Sequence, residues 1–351
     1  MRQFILTLTL MVAVLTAACA PAPAAPTVPA TAVAAAATAA STPKALEHIQ
    51  VALGFVPSVQ SAPYYVAQDK GYYAAEGLEV ELKYGQIQNL LQQVSAGTIA
   101  FAAVSGDSLM PQRQQGVQVT YVLSFWTKNP IGLAAIAGNN NPPLRTPADL
   151  KGKNIGVSAP NSSTDFGLKA LLQAGKLTAA DVKVTAIGTT EVEAMVAKRI
   201  DAAMTFLPNE QAQLKSLGYK TEAIAVGDYL KLVPPGLGAG DKLIKERPEL
   251  VQRFVNATLR GLKDALADPN AAFASSMKRM PEISPEVQPL QRDVLSATLD
   301  YYQPVAGRAL GATDTAAWPA TQDFLKSIAV LNQTIDPASY YTNKFAEQAK
   351  P

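Results

Sequence analysis

Residues 49–82, IQVALGFVPSVQSAPYYVAQDKGYYAAEGLEVEL, carry the pattern that decides the fold of this chain. Apolar side chains alternate along 49–55, which is the period of a strand, and mostly apolar positions three to four apart along 62–73 predict a helix. Residues 78–82 then begin a second strand. This order predicts a βαβ unit with a right-handed crossover. In such a unit a ligand site is expected where the first strand's carboxyl end meets the helix N-terminus.

The composition describes a large, nearly neutral chain with few reactive side chains. Its 351 residues are 48% hydrophobic and 17% charged, with a formal net charge of +2. This length is enough for two lobes with cores of their own. The near-neutral net charge indicates no basic surface for nucleic acid. Cys19 is the only cysteine and His48 the only histidine. Both residues lie outside the expected core, and we expect His48 to be solvated. An internal disulfide is therefore excluded, and neither a Cys/His metal site nor a histidine-dependent catalytic pair is expected.

The first residues have the layout of a secretory signal, with an early positive charge, a short apolar run along 4–15 and small residues before Cys19. This resembles a bacterial lipoprotein cleavage site, although the commonest pattern has leucine three residues before the cysteine and Leu15 stands four before it. An ordinary signal peptide with a chance cysteine is the alternative. We predict a lipoprotein signal peptide over 1–18, acylation of Cys19, and a flexible tether rich in Ala, Pro and Thr over 19–45.

Four segments together resemble one known protein family. They are APYYVAQDKGYYAAEGLEVEL at 62–82, AGTIAFAAVSGDSL at 96–109, DLKGKNIGV at 149–157 and RIDAAMTF at 199–206. The chain resembles, over about 49–345, the solute-binding proteins of the thiamin-pyrimidine-precursor and sulfonate type, which serve ABC importers. Some members of that family serve riboflavin importers.

The resemblance implies an α/β fold, the two-lobe periplasmic-binding-protein fold of type II. In that fold each lobe is a mixed sheet flanked by helices, and a hinge between the lobes closes them on the ligand. The predicted division places the first part of lobe 1 at 46–130, lobe 2 at 131–233, and a return to lobe 1 with the C-terminal helices at 234–351.

The candidate ligand residues are those that loops and helix N-termini should bring to the cleft between the lobes. Ser162 and Ser163, with Thr164, lie at a helix start where free N–H groups favour a carbonyl or a partial negative charge, although capping alone is the alternative. Tyr64 and Trp126 lie at junctions between loops and regular elements, where either could stack on a ligand. The candidate set is Phe55, Gln60, Tyr64, Tyr65, Gln86, Ser105, Trp126, Asn161, Ser162, Ser163, Phe206, Asn209 and Tyr229. The aromatic residues expected to pack in cores instead are Tyr72, Tyr73, Tyr301, Tyr302, Trp318 and Phe324.

Two departures from the pyrimidine-binding branch bear on the ligand. That branch usually has a histidine where this chain has Ser61, and a glutamate just after the strand that ends near Phe206, where the nearest acid here is Glu210. A pyrimidine amine would lose its charged acceptor, and an unpaired buried donor costs about 1–3 kcal/mol. The candidates contain no arginine for a sulfonate. Their aromatic and amide groups suit a flat, neutral heteroaromatic ring such as riboflavin.

The sequence therefore predicts a non-enzymatic, lipid-anchored binding protein at the extracytoplasmic face of the membrane. It would act as a monomer, capture riboflavin and deliver it to an ABC permease, with no cofactor of its own and no nucleic-acid partner. The alternative of the same class is a binding protein for a thiamin pyrimidine precursor. The alternative of another class is a pyrimidine-precursor synthase, whose eukaryotic relatives consume an active-site histidine and carry a cysteine-rich segment. Residues 233–240, VPPGLGAG, contain no cysteine at the corresponding place, and no core histidine is expected.

Overall fold

The computed structural model describes residues 45–54, 56–85 and 87–351. The predicted signal peptide, Cys19 and nearly all of the predicted tether lie outside this part of the chain, as do Phe55 and Gln86. In the described residues no helix is both long and apolar enough to cross a membrane.

The strands alternate with helices along most of the chain. The strands are β1 (Glu47–Ala52), β2 (Leu78–Lys83), β3 (Phe101–Val104), β4 (Val119–Leu123), β5 (Ile131–Ile136), β6 (Asn154–Val157), β7 (Lys183–Ala186), β8 (Ala202–Phe206), β9 (Thr221–Ala225) and β10 (Gly236–Gly240). The helices are α1 (Ala62–Asp69), α2 (Tyr72–Ala75), α3 (Ile87–Ser95), α4 (Gly106–Gln114), α5 (Ser163–Ala174), α6 (Glu191–Val196), α7 (Leu207–Ser216), α8 (Asp241–Glu246), α9 (Pro248–Ala267), α10 (Pro269–Met277), α11 (Gln288–Tyr301), α12 (Ala317–Ser327) and α13 (Lys344–Glu347).

These strands form two five-stranded sheets of the same design. The first sheet has the order β2-β1-β3-β10-β4 and the second has the order β7-β6-β8-β5-β9. In the first, β1 runs parallel to β2 and β3 while β10 is antiparallel to β3 and β4. In the second, β6 runs parallel to β7 and β8 while β5 is antiparallel to β8 and β9. The predicted fold class, two mixed sheets flanked by helices, is confirmed.

The chain crosses from the first sheet to the second between β4 and β5, and it returns between β9 and β10. Asn129 ties the two crossings together. Its Nδ2 donates to the carbonyl oxygen of Val233 at 3.3 Å, and its Oδ1 accepts from the N–H of Ile131 at 2.9 Å. The predicted lobe limits, after residues 130 and 233, fall within these crossings and stay a prediction.

The opening βαβ unit differs from its prediction in two respects: β1 spans Glu47–Ala52 where the alternation predicts a strand over 49–55, and the helix is divided. The helix predicted over 62–73 is interrupted at Gly71, whose φ of 68° lies in the left-handed region that glycine adopts at little cost. The result is two helices, α1 and α2. Tyr73 is buried, as expected for a packing residue, and its ring lies 5.4 Å from that of Phe254. His48 is solvated as predicted, with its side chain 53% exposed beside Glu81.

The long helix α9 sets the position of α1. Its apolar stripe is buried along its length, including Phe254 and Leu262. Gly261 lies where the two helices approach most closely, and a Cβ there would collide with the carbonyl oxygen of Pro63. Because Tyr64 follows Pro63, this close packing also constrains the rotation of α1 about its axis.

Candidate functional site

A cavity of about 670 Å³ lies between the two sheets, at the ends of their strands. The carboxyl ends of β1, β3 and β4 approach it from the first sheet, and those of β6 and β8 approach it from the second. Ligands of open α/β sheets bind outside the carboxyl ends of strands. The described lining consists of Leu53, Gly54, Val56, Ser58, Gln60, Ser61, Tyr64, Ala103, Val104, Ser105, Ser108, Gln112, Leu123, Phe125, Trp126, Ser158, Ser162, Ser163, Thr164, Phe206, Asn209, Pro235, Gly236 and Tyr302.

Five aromatic rings form one wall of the cavity. The ring of Tyr64 lies 5.1 Å from that of Phe125, which in turn lies 5.6 Å from Tyr302. Trp126 meets Tyr302 edge-on at 5.1 Å and Phe206, from the second sheet, at 6.4 Å. Contacts of this geometry are favourable because a ring edge is positive and a ring face is negative. The rings therefore hold one another in place before any ligand arrives.

The phenols in this wall stay protonated at physiological pH. Burial raises the pKa of Tyr64 well above its ordinary value, and burial also raises that of Tyr302. The Tyr302 hydroxyl donates to the carbonyl oxygen of Gln60 at 2.8 Å. The C-terminal end of α11 is thereby linked to the loop that precedes α1.

Hydroxyl groups at two helix starts form a second wall of the cavity. In the first sheet's half, Ser105 caps α4 in a capping box with Ser108. In the second, the hydroxyls of Ser158, Ser162 and Thr164 form a mutual cluster at the start of α5, with oxygen–oxygen distances of 2.8–3.1 Å. Each hydroxyl can rotate to donate or accept. This wall can therefore match either kind of polar edge on a ligand.

One polar contact spans the cavity from one half to the other. The Nε2 of Gln60, before α1, donates to the Oδ1 of Asn209, in the first turn of α7, at 3.5 Å. That distance is long for a hydrogen bond, so the contact is weak. A ligand edge with donors and acceptors can replace it at little cost.

The structure brings eight of the predicted site residues to this cavity: Gln60, Tyr64, Ser105, Trp126, Ser162, Ser163, Phe206 and Asn209. Three others lie elsewhere. Tyr65 is fully buried on another face of α1, where its hydroxyl pairs with that of Tyr84 at 2.9 Å. Asn161 is exposed, with its N–H bonded to the Asp165 carboxylate. Tyr229 is 46% exposed and is not part of the lining. Phe55 and Gln86 fall outside the described residues.

The sequence interpretation assigned several lining residues to other roles or did not single them out. Tyr302 is among the aromatic residues that the sequence predicts to pack in cores, and Phe125 is not among the candidates. Ser158 directly follows β6, so the rule that points to strand carboxyl ends could have found it. Tyr302 lies at the end of α11, and no local pattern links it to residues that precede it by more than 170 positions.

The described lining contains neither acids nor bases. Within residues 45–351 as described, no group of three or more His, Cys, Asp and Glu side chains could hold a metal ion. The chemistry that this arrangement offers is aromatic stacking on one wall and neutral hydrogen bonding on the other, in a volume typical of small-molecule sites, about 300–1,000 Å³.

Comparisons with known proteins agree with this fold. The family model described as "NMT1/THI5 like" matches residues 58–272. The riboflavin-binding protein RibY of Chloroflexus aurantiacus is 36% identical over 350 residues, which are 98% of this chain and 98% of that protein. The 4-amino-5-hydroxymethyl-2-methylpyrimidine phosphate synthase of Legionella pneumophila is 23% identical over 310 residues, 85% of this chain and 92% of that one. Among solved structures, the periplasmic aliphatic sulphonate binding protein SsuA of Escherichia coli superposes with a TM-score of 0.65 at 15% identity, covering 84% of this chain and 91% of its own.

Proposed function

Because this chain belongs to the NMT1/THI5-like family, we propose that it captures riboflavin, or a closely related flavin, between its two lobes and delivers it to an ABC permease. The coarser class, a solute-binding protein of the ABC-import type, follows from the family and the fold. The identity of the ligand, a flavin, is the part that we propose. The full-length similarity to a relative named as a riboflavin-binding protein supports it.

The observation that carries the flavin proposal is the pairing of an aromatic wall with an uncharged polar wall in one cavity. An isoalloxazine ring is flat and apolar on both faces, and it carries carbonyl and N–H groups along one edge. Tyr64 and Trp126 offer ring surface, and each aromatic contact adds roughly 0.5–1.5 kcal/mol beyond area burial. The hydroxyls of Ser105 and Ser162 and the amide of Gln60 can pair with the polar edge without introducing charge.

The enzyme alternative finds less support in the cavity. The relative from Legionella pneumophila carries the name of a synthase. The eukaryotic type of synthase considered above consumes a histidine, and the single histidine of this chain, His48, is exposed at the start of β1 and does not line the cavity. Binding without turnover is therefore the better match to the residues present.

A lipid anchor completes the proposal. We infer that Cys19 is acylated after signal-peptide cleavage and that the segment 19–45 tethers the binding lobes to the extracytoplasmic face of the membrane. The support is the sequence pattern alone, since Cys19 lies outside the described residues. Two or more acyl chains give stable anchoring, whereas one chain gives only reversible attachment.

Spectroscopy and thermal unfolding of the purified protein test the ligand. Binding should quench the fluorescence of riboflavin. Riboflavin should also raise Tm, because binding stabilises the folded state by an amount that grows with the logarithm of the free ligand concentration, about 2.7 kcal/mol at 100 times Kd. The control ligand is taurine, a sulfonate without an aromatic ring, and it should leave Tm unchanged. A series in which taurine stabilises the protein and riboflavin does not would contradict the flavin proposal.

A further inference from the structure

Two carboxylates lie directly behind the uncharged lining of the cavity. Asp107 belongs to the first turn of α4 and is 8% exposed. Its Oδ1 accepts a hydrogen bond from the hydroxyl of Ser105, and Ser105 lines the cavity. One hydrogen bond therefore separates this buried acid from the ligand space.

The start of α5 also carries a carboxylate, but this one is held by Asn161 and Lys169 rather than by a hydroxyl of the lining. Asp165 lies in its first turn, with a side chain 13% exposed. Its carboxylate accepts from the N–H of Asn161 at 3.0 Å, and its own N–H donates to the hydroxyl of Ser162, which lines the cavity. Lys169 pairs with this carboxylate at 2.8 Å and offsets part of its charge. Of the two acids, Asp107 should therefore have the larger electrostatic effect on the cavity.

These positions matter because a helix N-terminus ordinarily attracts anions. The unpaired N–H groups and the helix dipole give it a partial positive charge of about half a unit, which suits phosphate or carboxylate ligands. A carboxylate in the first turn supplies that negative charge from within the protein. Both helix starts that line the hydroxyl wall are neutralised in this way, and no cation lines the described cavity to restore attraction.

We propose that Asp107, assisted by Asp165, makes this cavity selective for neutral ligands, so that it accepts a free flavin and rejects phosphorylated flavins and other organic anions. The inference rests on the proposed flavin-binding function. A phosphate monoester carries about −1.5 to −2 charges at pH 7. Moving that charge into a cavity with two nearby carboxylates and no cation raises the free energy of binding, both by desolvation and by repulsion.

Riboflavin and FMN form a matched pair for the test, because they share the ring and differ by one phosphate. Their Kd values are measured by flavin fluorescence for the parent protein and for Asp107→Asn and Asp165→Asn. Asparagine keeps an oxygen that can accept the hydrogen bonds from Ser105 or from the Asn161 N–H, and it removes only the charge. The control is Asp323→Asn, which changes net charge equally at an exposed position on α12.

We expect the parent to bind FMN at least tenfold more weakly than riboflavin, and Asp107→Asn to reduce this ratio at least fivefold. Asp165→Asn should reduce it by less, and Asp323→Asn should not change it. Equal affinity of the parent for both flavins, or an unchanged ratio in both folded site variants, would overturn the inference and leave the flavin proposal standing. If Asp107→Asn does not fold, the ratio for Asp165→Asn decides.

A second arm separates the inference from the proposed function. Inorganic phosphate is titrated into the parent protein by calorimetry. Binding of this anion would overturn charge exclusion whatever the flavins do. If neither flavin binds the parent, the proposed function fails, and the selectivity for neutral flavins that rests on it fails with it.

Discussion

The ring of Trp126 meets the ring of Tyr302 edge-on, with the centroids 5.1 Å apart and the ring planes at 88°. Trp126 follows β4 and Tyr302 follows α11, so the contact joins two segments that are distant in the chain. Both residues line the cavity, and Trp126 also touches Phe206 of the second sheet. Trp126 thus contacts rings on both sides of the cleft while part of its surface faces the ligand space.

Replacing Trp126 by alanine should weaken flavin binding by about 2 kcal/mol or more, roughly thirtyfold in Kd. The loss combines the direct ring contact with the ligand and the support that Trp126 gives to Tyr302. Tyr64→Ala should have a similar effect if the flavin stacks on that side of the wall. Quenching of riboflavin fluorescence gives the Kd of each folded variant.

Tyr72→Ala serves as the control for these two variants. Tyr72 is an aromatic residue of the same half, but it lies on α2, bonds to Asp264 and does not line the cavity. We expect it to lower the free energy of unfolding and to leave the affinity of the folded fraction intact. Weakened binding in Tyr72→Ala, together with parental binding in both cavity variants, would show that the site has been assigned to the wrong side of these helices.

Gly261→Ala should destabilise the protein by about 1–3 kcal/mol, the usual cost of inserting a methyl group into close packing. Alanine is otherwise favoured over glycine within a helix by up to about 1 kcal/mol. The collision with the carbonyl oxygen of Pro63 should outweigh that gain, because backbone cannot move aside as a flexible side chain can. Gly227→Ala is the control, since a Cβ there meets nothing closer than 3.7 Å. Urea unfolding of both variants measures the difference, and equal stability would contradict the packing argument.

Local pattern predicted the architecture well. The alternation along 49–55 and the helical spacing after it gave the opening unit, and the family resemblance gave the two lobes. The carboxyl ends of parallel strands gave the general position of the cavity. The sequence pattern did not predict the break at Gly71, because a glycine inside a helical pattern is compatible with both a continuous and an interrupted helix.

The prediction of the site was limited because the sequence does not show how each helix is rotated about its own axis. Tyr64 and Tyr65 are neighbours, about 100° apart around α1, and the sequence offers no means to tell which faces the cavity. The packing of α9 against Pro63 decides it, and Tyr65 becomes a core residue that pairs with Tyr84. Tyr302 was missed for a related reason. A core position and a cavity position have the same periodicity, and only tertiary structure separates them.

Cys19→Ser should release the protein from membranes into the soluble fraction. Serine keeps the shape of cysteine but cannot be acylated as a lipoprotein thiol, so the anchor would not form. Fractionation of cells that express the parent or the variant, followed by immunodetection, makes the comparison. Retention of the variant in the fraction that requires detergent would contradict the predicted anchor, whatever the outcome for ligand binding.

Glu210 should make stability depend on pH. It lies in the first turn of α7, one residue after Asn209, and its Oε2 is buried with no hydrogen-bond partner among the described residues. Burial, with a smaller contribution from the nearby Glu191 carboxylate, raises the pKa of Glu210 from 4.5 to about 7. The folded protein therefore holds this proton more tightly than the unfolded chain does. Its contribution favours the folded state at low pH and is lost as pH rises from about 4.5 through 7.

Glu210→Gln should remove this dependence, because glutamine is neutral at every pH and similar in shape. Each unit of pKa shift corresponds to about 1.4 kcal/mol, so the free energy of unfolding of the variant relative to the parent should rise by on the order of 3 kcal/mol between pH 4 and pH 8. Other acids with lowered pKa values act in the opposite sense, so only this difference is informative. Glu193→Gln, exposed on the neighbouring helix α6, is the matched control and should show no such trend. Urea unfolding of the three proteins at both pH values makes the comparison, and parallel profiles for the parent and Glu210→Gln would mean that the pKa of Glu210 is the same in the folded and unfolded states.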